Sequence, residues 1–142
     1  MPASTNTLRL DELELFANCT RAEREQISPL TTCLRILEGQ VLIREGSAAK
    51  EFVVIVSGTA RVTRETDHGI VEVAEVGKGD FLGEMALLTG SARSATATAT
   101  TDLVVLVSSV GEFRSIMEIA PSVAGKVRQA SLDRATSLRI AA

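Results

Sequence analysis

The chain has 142 residues, of which 45% are hydrophobic and 23% are charged, and its formal net charge is −3 at pH 7. This length predicts one globular domain with a core large enough to fold without disulfides or metals. Because the chain is acidic and its Lys and Arg residues are scattered, it lacks the basic stripe of a nucleic-acid-binding surface, and we expect no direct DNA binding by this chain.

The residues near the amino terminus predict two short helices within residues 8–30. Apolar side chains at three-residue spacing indicate a first helix over residues 11–16. Thr20 followed by Glu23 has the pattern of a capping box, which starts a second helix. Pro29 disfavours helical backbone at the residue before it, so we expect that helix to end there.

From residue 33 to residue 110, short runs of β-branched residues alternate with glycine, a pattern that predicts strands joined by turns. Many short strands at regular spacing are typical of a β-sandwich, jelly roll or barrel. The predicted strands are Leu34–Leu37, Val41–Arg44, Phe52–Val56, Ala60–Glu65, Val71–Val76, Ser94–Thr100 and Leu103–Val107.

After Val110 the sequence becomes helical again and predicts carboxyl-terminal helices over residues 111–142. A first helix is expected from Gly111 to Ala120. Pro121 favours the first turn of a second helix, whose apolar stripe is weak.

The sequence shows neither a membrane-spanning run nor a secretory signal, and this bears on the cellular compartment. The longest apolar run, Phe52–Val56, is far too short to cross a bilayer, and the amino terminus has no secretory signal. We therefore expect a cytoplasmic protein with no membrane partner. Cys19 and Cys33 are expected to be small buried hydrophobic residues and not a disulfide.

The segment 79–96 concentrates chemically distinctive residues. Gly83 precedes a run of good helix formers, and the start of such a helix offers free N–H groups and partial positive charge to a phosphate. Arg93 can pair with the same anion through its planar guanidinium, Ser94 adds a hydroxyl, and Glu84 can accept the proton of a sugar hydroxyl. The competing interpretation is a surface turn in which Glu84 caps the helix and Arg93 forms a solvated ion pair.

The same segment resembles the phosphate-binding cassette of cyclic-nucleotide-binding domains, whose pattern is roughly F-G-E-x-A-L followed a few residues later by P-R-x-A. Here the pattern appears in Phe81–Leu88 and Ala92–Ala95. The resemblance extends over about residues 13–121 and includes a G-x-x-[IL]-x-x-[EQ]-G turn from Gly39 to Gly46. Several motifs in the right order indicate the family more strongly than the cassette alone.

The resemblance implies a mainly β fold with flanking helices. The barrel would be an eight-stranded jelly roll (a double-stranded β-helix) with short amino-terminal helices, an internal cassette helix and carboxyl-terminal helices. A single cyclic-nucleotide-binding domain would cover residues 1–142, in which 8–30 are helical, 33–110 form the barrel with the cassette at 79–96, and 111–142 form the last helices.

The resemblance also implies roles for individual residues. Glu84 would bind the ribose 2′-hydroxyl, and Arg93 would bind the exocyclic phosphate oxygens. Residues of the cassette would complete the anion site, chiefly through backbone amides: Gly83, Met85, Ala86, Ser94 and Ala95. Aliphatic residues of the strands would form a wall for the base and sugar, although each is also expected in the barrel core: Ile43, Val62, Val73 and Val76.

The chain departs from the family pattern in three places. Ala92 stands where the family usually has Pro, and Leu82 replaces the aromatic residue often seen before the glycine. The chain contains no Tyr or Trp to stack on the base. Arg128 or Arg134 is a candidate lid by cation–π stacking, with a solvated surface arginine as the competing interpretation.

The implied function is non-catalytic sensing of a cyclic nucleotide, with no metal and no cofactor. Ser94 after the cassette Arg93 resembles both kinases that prefer cyclic GMP (cGMP) and bacterial receptors for cyclic AMP (cAMP), and we favour cAMP. Binding would reposition the carboxyl-terminal helices, which would then contact an effector protein or a second copy in a homodimer.

Two other functions compete with this one, and the sequence argues against the first. A metal-dependent cupin-type enzyme needs several histidines, and the chain has only His68. A protein-interaction domain that has kept the fold and lost the ligand is the main alternative.

Overall fold

Two four-stranded antiparallel sheets form the β-barrel in this computed structural model, which describes residues 10–141 and the side chains of residues 10–133. The first sheet has the order β1-β8-β3-β6 and the second has the order β2-β7-β4-β5. This arrangement confirms the predicted mainly β jelly-roll fold. The strands are β1 (Thr32–Ile36), β2 (Val41–Ile43), β3 (Glu51–Ser57), β4 (Ala60–Thr66), β5 (Gly69–Val76), β6 (Phe81–Leu82), β7 (Thr96–Ala99) and β8 (Leu103–Ser109).

Strand β3 explains why the longest apolar run of the chain is continuous and not alternating. Val53 and Ile55 point into the barrel interior, where they pack with residues of both sheets. Phe52 and Val54 point to the opposite face and pack against the helices. Because successive side chains of a strand face opposite sides, a strand buried on both faces needs apolar residues at every position.

The helices lie against the outer face of the first sheet. There they form a second hydrophobic core, separate from the one inside the barrel. All four phenylalanines of the chain belong to this core, and Phe52 lies between Phe81 and Phe113 with ring centroids 5.6 and 4.7 Å away. The α-helices are α1 (Arg21–Ile27), α2 (Glu84–Thr89), α3 (Val110–Ile119) and α4 (Pro121–Ala141).

The predicted helix over residues 11–16 is wrong in type. The structure has two 3₁₀ turns there, Leu10–Glu12 and Glu14–Phe16. Between them Leu13 has extended backbone, with φ −97° and ψ 130°, and its side chain is buried in the core. The burial of Leu13 therefore interrupts the helical backbone that its spacing predicted.

Two capping boxes fix the starts of helices. The predicted one is present at α1, where the Thr20 hydroxyl accepts from the Glu23 amide and the Glu23 carboxylate accepts from the Thr20 amide. Helix α1 ends at Ile27, and a 3₁₀ turn (Ser28–Leu30) containing Pro29 follows. A second box, formed by Ser109 and Glu112, starts α3 immediately after strand β8.

Strand boundaries differ most around the cassette. Strand β6 was not among the predicted runs, because a two-residue strand has too little sequence to show a period. The predicted strand Ser94–Thr100 is shorter, since β7 covers only Thr96–Ala99. The residues before it follow the turn that places Arg93, so they do not join the sheet.

Both cysteines are free thiols in the structure. Cys19 is buried beside Ser122, with 3.8 Å between Sγ and Oγ, whereas Cys33 is half-buried on β1. Across the described residues, no helix combines the length and the apolar character needed to span a membrane.

Candidate functional site

Strand β3 anchors the start of the cassette. The Gly79 amide donates to the Ile55 carbonyl and the Ile55 amide donates to the Asp80 carbonyl, both at 2.8 Å. The Asp80 carboxylate also accepts from the Gly77 amide at 2.8 Å and closes the preceding turn. These bonds fix the chain before it passes through β6 to the site.

Two glycines delimit the cassette helix α2. Gly83 precedes it with φ +94°, and Gly90 follows it with φ +74°. Both values lie in the left-handed region that residues with a Cβ rarely adopt. The helix is limited to six residues, and its first residue, Glu84, is only 1% exposed.

Arg93 is buried with its side chain folded back onto the cassette. Its guanidinium donates from Nη1 to the Gly83 carbonyl at 2.9 Å and from Nη2 to the Glu51 carbonyl at 2.6 Å. A Cβ on Gly83 would lie 2.6 Å from that Nη1. The site therefore requires glycine at position 83 both for its backbone conformation and for the approach of Arg93.

Two opposite charges are buried together in this site. Burial lowers the pKa of Arg93, while the negative charges of Glu51 and Glu84 act in the opposite direction and raise it. An arginine stays protonated in proteins, so the guanidinium is a cation at neutral pH. Taking charged groups out of water is costly, and such groups are usually retained where they bind something or pair with one another.

The pocket lined by Arg93 and Glu84 has a volume of about 220 Å³. The structure brings together in its lining all eleven residues that the sequence assigned to the ligand site and the wall. The first group comprises Gly83, Glu84, Met85, Ala86, Arg93, Ser94 and Ala95, and the second comprises Ile43, Val62, Val73 and Val76.

Sequence reasoning missed four further lining residues, namely Ala74, Leu82, Thr96 and Ala97. Ala97 lies two residues after Ala95 in the predicted strand Ser94–Thr100, so the period of two was a usable signal, although only Ala97 lies within β7. Ala74 lies two residues before the predicted wall residue Val76 on β5, so the same period was a usable signal there. The pairing of β4 and β5 shifts register between Val62 and Thr63, and consecutive residues Val73 and Ala74 both line the pocket.

The candidate lid residues do not contribute to the described pocket lining. Arg128 is exposed on α4 and is absent from that lining. The side chain of Arg134 lies outside the described residues. In the part of the chain that the structure describes, the lid therefore stays a hypothesis.

The pocket joins a charged end to an apolar wall. At the charged end lie the buried cation Arg93 and the buried carboxylate Glu84, and the wall is aliphatic. Such a site can bind an anion and a hydroxyl group next to a flat apolar group. Among the described residues, no three His, Cys, Asp or Glu side chains are grouped so that they could hold a metal ion.

Comparison with known proteins agrees with this geometry. The family profile described as the cyclic nucleotide-binding domain matches residues 33–120. The chain is 34% identical to a cAMP-dependent protein kinase regulatory subunit of Mycosarcoma maydis over 63% of its length and 17% of that protein. It is 35% identical to the acetyltransferase Pat of Mycolicibacterium smegmatis over 78% of its length and 33% of that protein. The chain thus spans a third or less of either relative.

A solved structure has the same fold at low sequence identity. It is the regulatory subunit of a cAMP-independent protein kinase A from Trypanosoma brucei, a triple mutant bound to cAMP in its A site. The TM-score is 0.78 at 23% identity, covering 91% of this chain and 48% of that one. At this identity the likeness establishes the fold alone.

Proposed function

Because this chain belongs to the cyclic nucleotide-binding domain family, we propose that it binds cAMP, in preference to cGMP, as a non-catalytic sensor or regulatory module. The observation that supports this most directly is the burial of Glu84 and Arg93 in one pocket. A cyclic nucleotide needs a cation for its phosphate, an acceptor for its ribose and an apolar surface for its base. The pocket offers all three.

The phosphate is proposed to bind at Arg93. Of the five N–H donors on a guanidinium, two go to the carbonyls of Gly83 and Glu51. These two bonds hold the guanidinium plane in place and leave the other donors for the anion. The first backbone amides of α2, including those of Met85 and Ala86, have no partner within a helix and add neutral donors beside the same oxygens.

The ribose is proposed to donate its 2′-hydroxyl to Glu84. A carboxylate is an acceptor only, so it selects for a donor on the ligand. Its position at the start of α2 puts it one residue after Gly83, whose carbonyl holds Arg93. Sugar and phosphate would therefore be bound within one turn of backbone.

The base is proposed to lie against the wall formed by Ile43, Val62, Val73 and Val76. All four side chains are aliphatic, so they contribute apolar burial without selecting a particular purine edge. Selectivity for cAMP over cGMP would then depend on Ser94 and on any lid residue, Arg128 or Arg134 being the candidates. The absence of Tyr and Trp means that no ring of either kind in this chain stacks on the base.

The output is proposed to be a change in the position of the carboxyl-terminal helices. The cassette helix α2 contacts α4, and α3 follows β8 directly. A ligand that tightens α2 around a phosphate thereby acts on a helix outside the barrel, which would contact an effector protein or a second copy. Identical amide NMR spectra of residues 111–142 with and without cAMP would contradict this part of the proposal.

A protein-interaction domain without a ligand is the second candidate. One observation favours it, because another structure with the same fold is the regulatory subunit of a protein kinase A described as cAMP-independent. The fold is therefore compatible with loss of the response to cAMP. The buried Glu84 and Arg93 of this chain are the reason to prefer the sensor.

Thermal unfolding of the chain with cAMP, cGMP and 5′-AMP, measured side by side, separates these candidates. A ligand at 100 times its Kd stabilises the folded state by about 2.7 kcal/mol. We expect the largest increase in Tm with cAMP, a smaller one with cGMP, and little with 5′-AMP, whose phosphate is not cyclised. No increase with either cyclic nucleotide would contradict the sensor and favour the interaction domain.

A further inference from the structure

The turn between β2 and β3 is bonded to the backbone of Arg93 in both directions. The Gly46 amide donates to the Arg93 carbonyl at 2.9 Å, and the Arg93 amide donates to the Ser47 carbonyl at 2.9 Å. The turn is closed by Ser47, whose hydroxyl donates to the Arg44 carbonyl at 2.6 Å. Arg93 is thus paired with a turn that lies 46 residues earlier in the chain.

The side chain of Arg93 is held from the same segment. Its Nη2 donates to the Glu51 carbonyl at 2.6 Å, at the start of β3. Segment 46–51 therefore fixes both ends of this residue, since the turn holds its peptide groups and β3 holds its guanidinium. Because both ends of Arg93 are held, the orientation of its guanidinium plane relative to the pocket is fixed.

The cassette itself does little to fix the backbone at this point. Ser91, Ala92 and Arg93 belong to no helix or strand, and Ala92 is exposed. Alanine leaves φ free, whereas proline at that position would set it. The backbone conformation of Arg93 therefore depends on the bonds from the turn.

We infer that Gly46 is a positioning residue, which acts on the ligand through Arg93. Its left-handed conformation orients the Gly46 amide and the Ser47 carbonyl toward the backbone of Arg93. The inference rests on the proposed function, in which Arg93 binds the phosphate. Gly46 has φ +85°, and a Cβ there would meet no atom within 4 Å. Alanine at position 46 is thus disfavoured only because the backbone there is left-handed, and not by a steric clash. When the backbone relaxes to relieve this strain, the Gly46 amide and the Ser47 carbonyl rotate away from Arg93.

Gly39 supplies a closely matched control. It has φ +89° and equally open space around its Cβ, but its amide donates to Ala99 and not to Arg93. Gly39→Ala and Gly46→Ala should therefore lower the unfolding midpoint by similar amounts. Only Gly46→Ala should also weaken cAMP binding in calorimetric titration, by about fivefold or more, since a charge-assisted hydrogen bond is misaligned.

A conservative variant and a measurement without ligand complete the test. Asn tolerates the left-handed region better than Ala, so Gly46→Asn should recover part of the affinity. Amide hydrogen exchange of Arg93 should accelerate in Gly46→Ala and stay unchanged in Gly39→Ala. Equal affinities for Gly46→Ala and Gly39→Ala, or unchanged exchange at Arg93 in Gly46→Ala, would overturn the inference. If the wild-type chain bound no cyclic nucleotide, the proposed function would fail and the exchange measurement would still decide whether Gly46 positions Arg93.

Discussion

Gly83 and Arg93, ten residues apart in the chain, interlock at the start of the cassette helix. The Gly83 carbonyl accepts from Arg93 Nη1 at 2.9 Å, and the same nitrogen would lie 2.6 Å from a Cβ on residue 83. The contact places a buried cation directly beside the first amides of α2. Phosphate binding in this account depends on that placement.

Gly83→Ala should weaken nucleotide binding by about tenfold or more, because the new Cβ would lie 2.6 Å from Arg93 Nη1 and would push the guanidinium out of its present position. Gly90→Ala is the control at the other end of α2, with φ +74° and nothing within 4 Å of its Cβ. It should lose only about 1–2 kcal/mol of stability from left-handed backbone and keep its affinity. Calorimetric titration and denaturant unfolding of both variants measure these effects. Equal affinity of the two variants would show that the close approach is unimportant.

Glu84→Gln, combined with 2′-deoxy-cAMP, tests the proposed ribose contact. The wild-type chain should bind the deoxy ligand about tenfold less well than cAMP, since a hydrogen bond to a charged group contributes about 1.5–3 kcal/mol. In Glu84→Gln the difference between the two ligands should shrink, because the charged acceptor of the hydrogen bond from the 2′-hydroxyl is gone. The four affinities form a cycle, and a coupling near zero would remove Glu84 from the ribose site.

Ser109→Ala tests how the barrel is joined to the last helices. The Ser109 hydroxyl accepts from the Glu112 amide at 3.2 Å and caps α3 at the end of β8. Loss of such a cap costs about 0.5–2 kcal/mol, and hydrogen exchange in residues 110–119 should accelerate. Thr20→Ala removes the equivalent cap of α1 and should leave the exchange of α3 unchanged. Similar exchange of α3 in both variants would contradict a local role for Ser109.

Cys19 should react with iodoacetamide more slowly than Cys33 at pH 8. Burial raises the pKa of the Cys19 thiol, against smaller opposing effects that include the hydrogen bond to Ser122. The folded state therefore favours the neutral thiol. The contribution of this thiol to the free energy of unfolding is fully present below the ordinary cysteine pKa of about 8.5, and it declines as the pH rises through the raised pKa of the folded state. Mass spectrometry of the two alkylated peptides measures the rates. Equal rates in the folded chain would contradict the burial of Cys19, and equal rates in denaturant are expected.

The site was largely predictable from sequence because its chemistry is local. Gly83, Glu84 and Arg93 lie within eleven consecutive positions, so the spacing of a helix start and a following cation was visible without a fold. The wall residue Val62 was assigned from alternation along its strand together with its position in the family that the sequence resembles. Ala74 was missed although it lies two residues before Val76 on β5. The register shift with β4 brings its neighbour Val73 to the pocket as well, and no residue in the sequence marks that shift.

The contacts that hold the site were not predictable in the same way. The bonds of Arg93 to Gly46, Ser47 and Glu51 join segments more than 40 residues apart, and backbone carbonyls have no side-chain signature. The extended backbone at Leu13 was missed for a related reason. Its three-residue spacing is typical of a helix, and only packing against the core reveals that the chain is interrupted there.

Calorimetric titration of cAMP into the wild-type chain and into Arg93→Ala tests the central claim most directly. We expect the variant to lose affinity by about tenfold to a hundredfold, because charge-assisted bonds from the guanidinium to the phosphate are removed. Arg93→Lys should retain only part of the affinity, since an ammonium lacks the planar fork. Unchanged affinity in a folded Arg93→Ala chain would mean that the phosphate does not bind at this buried cation, and the proposed site would be wrong.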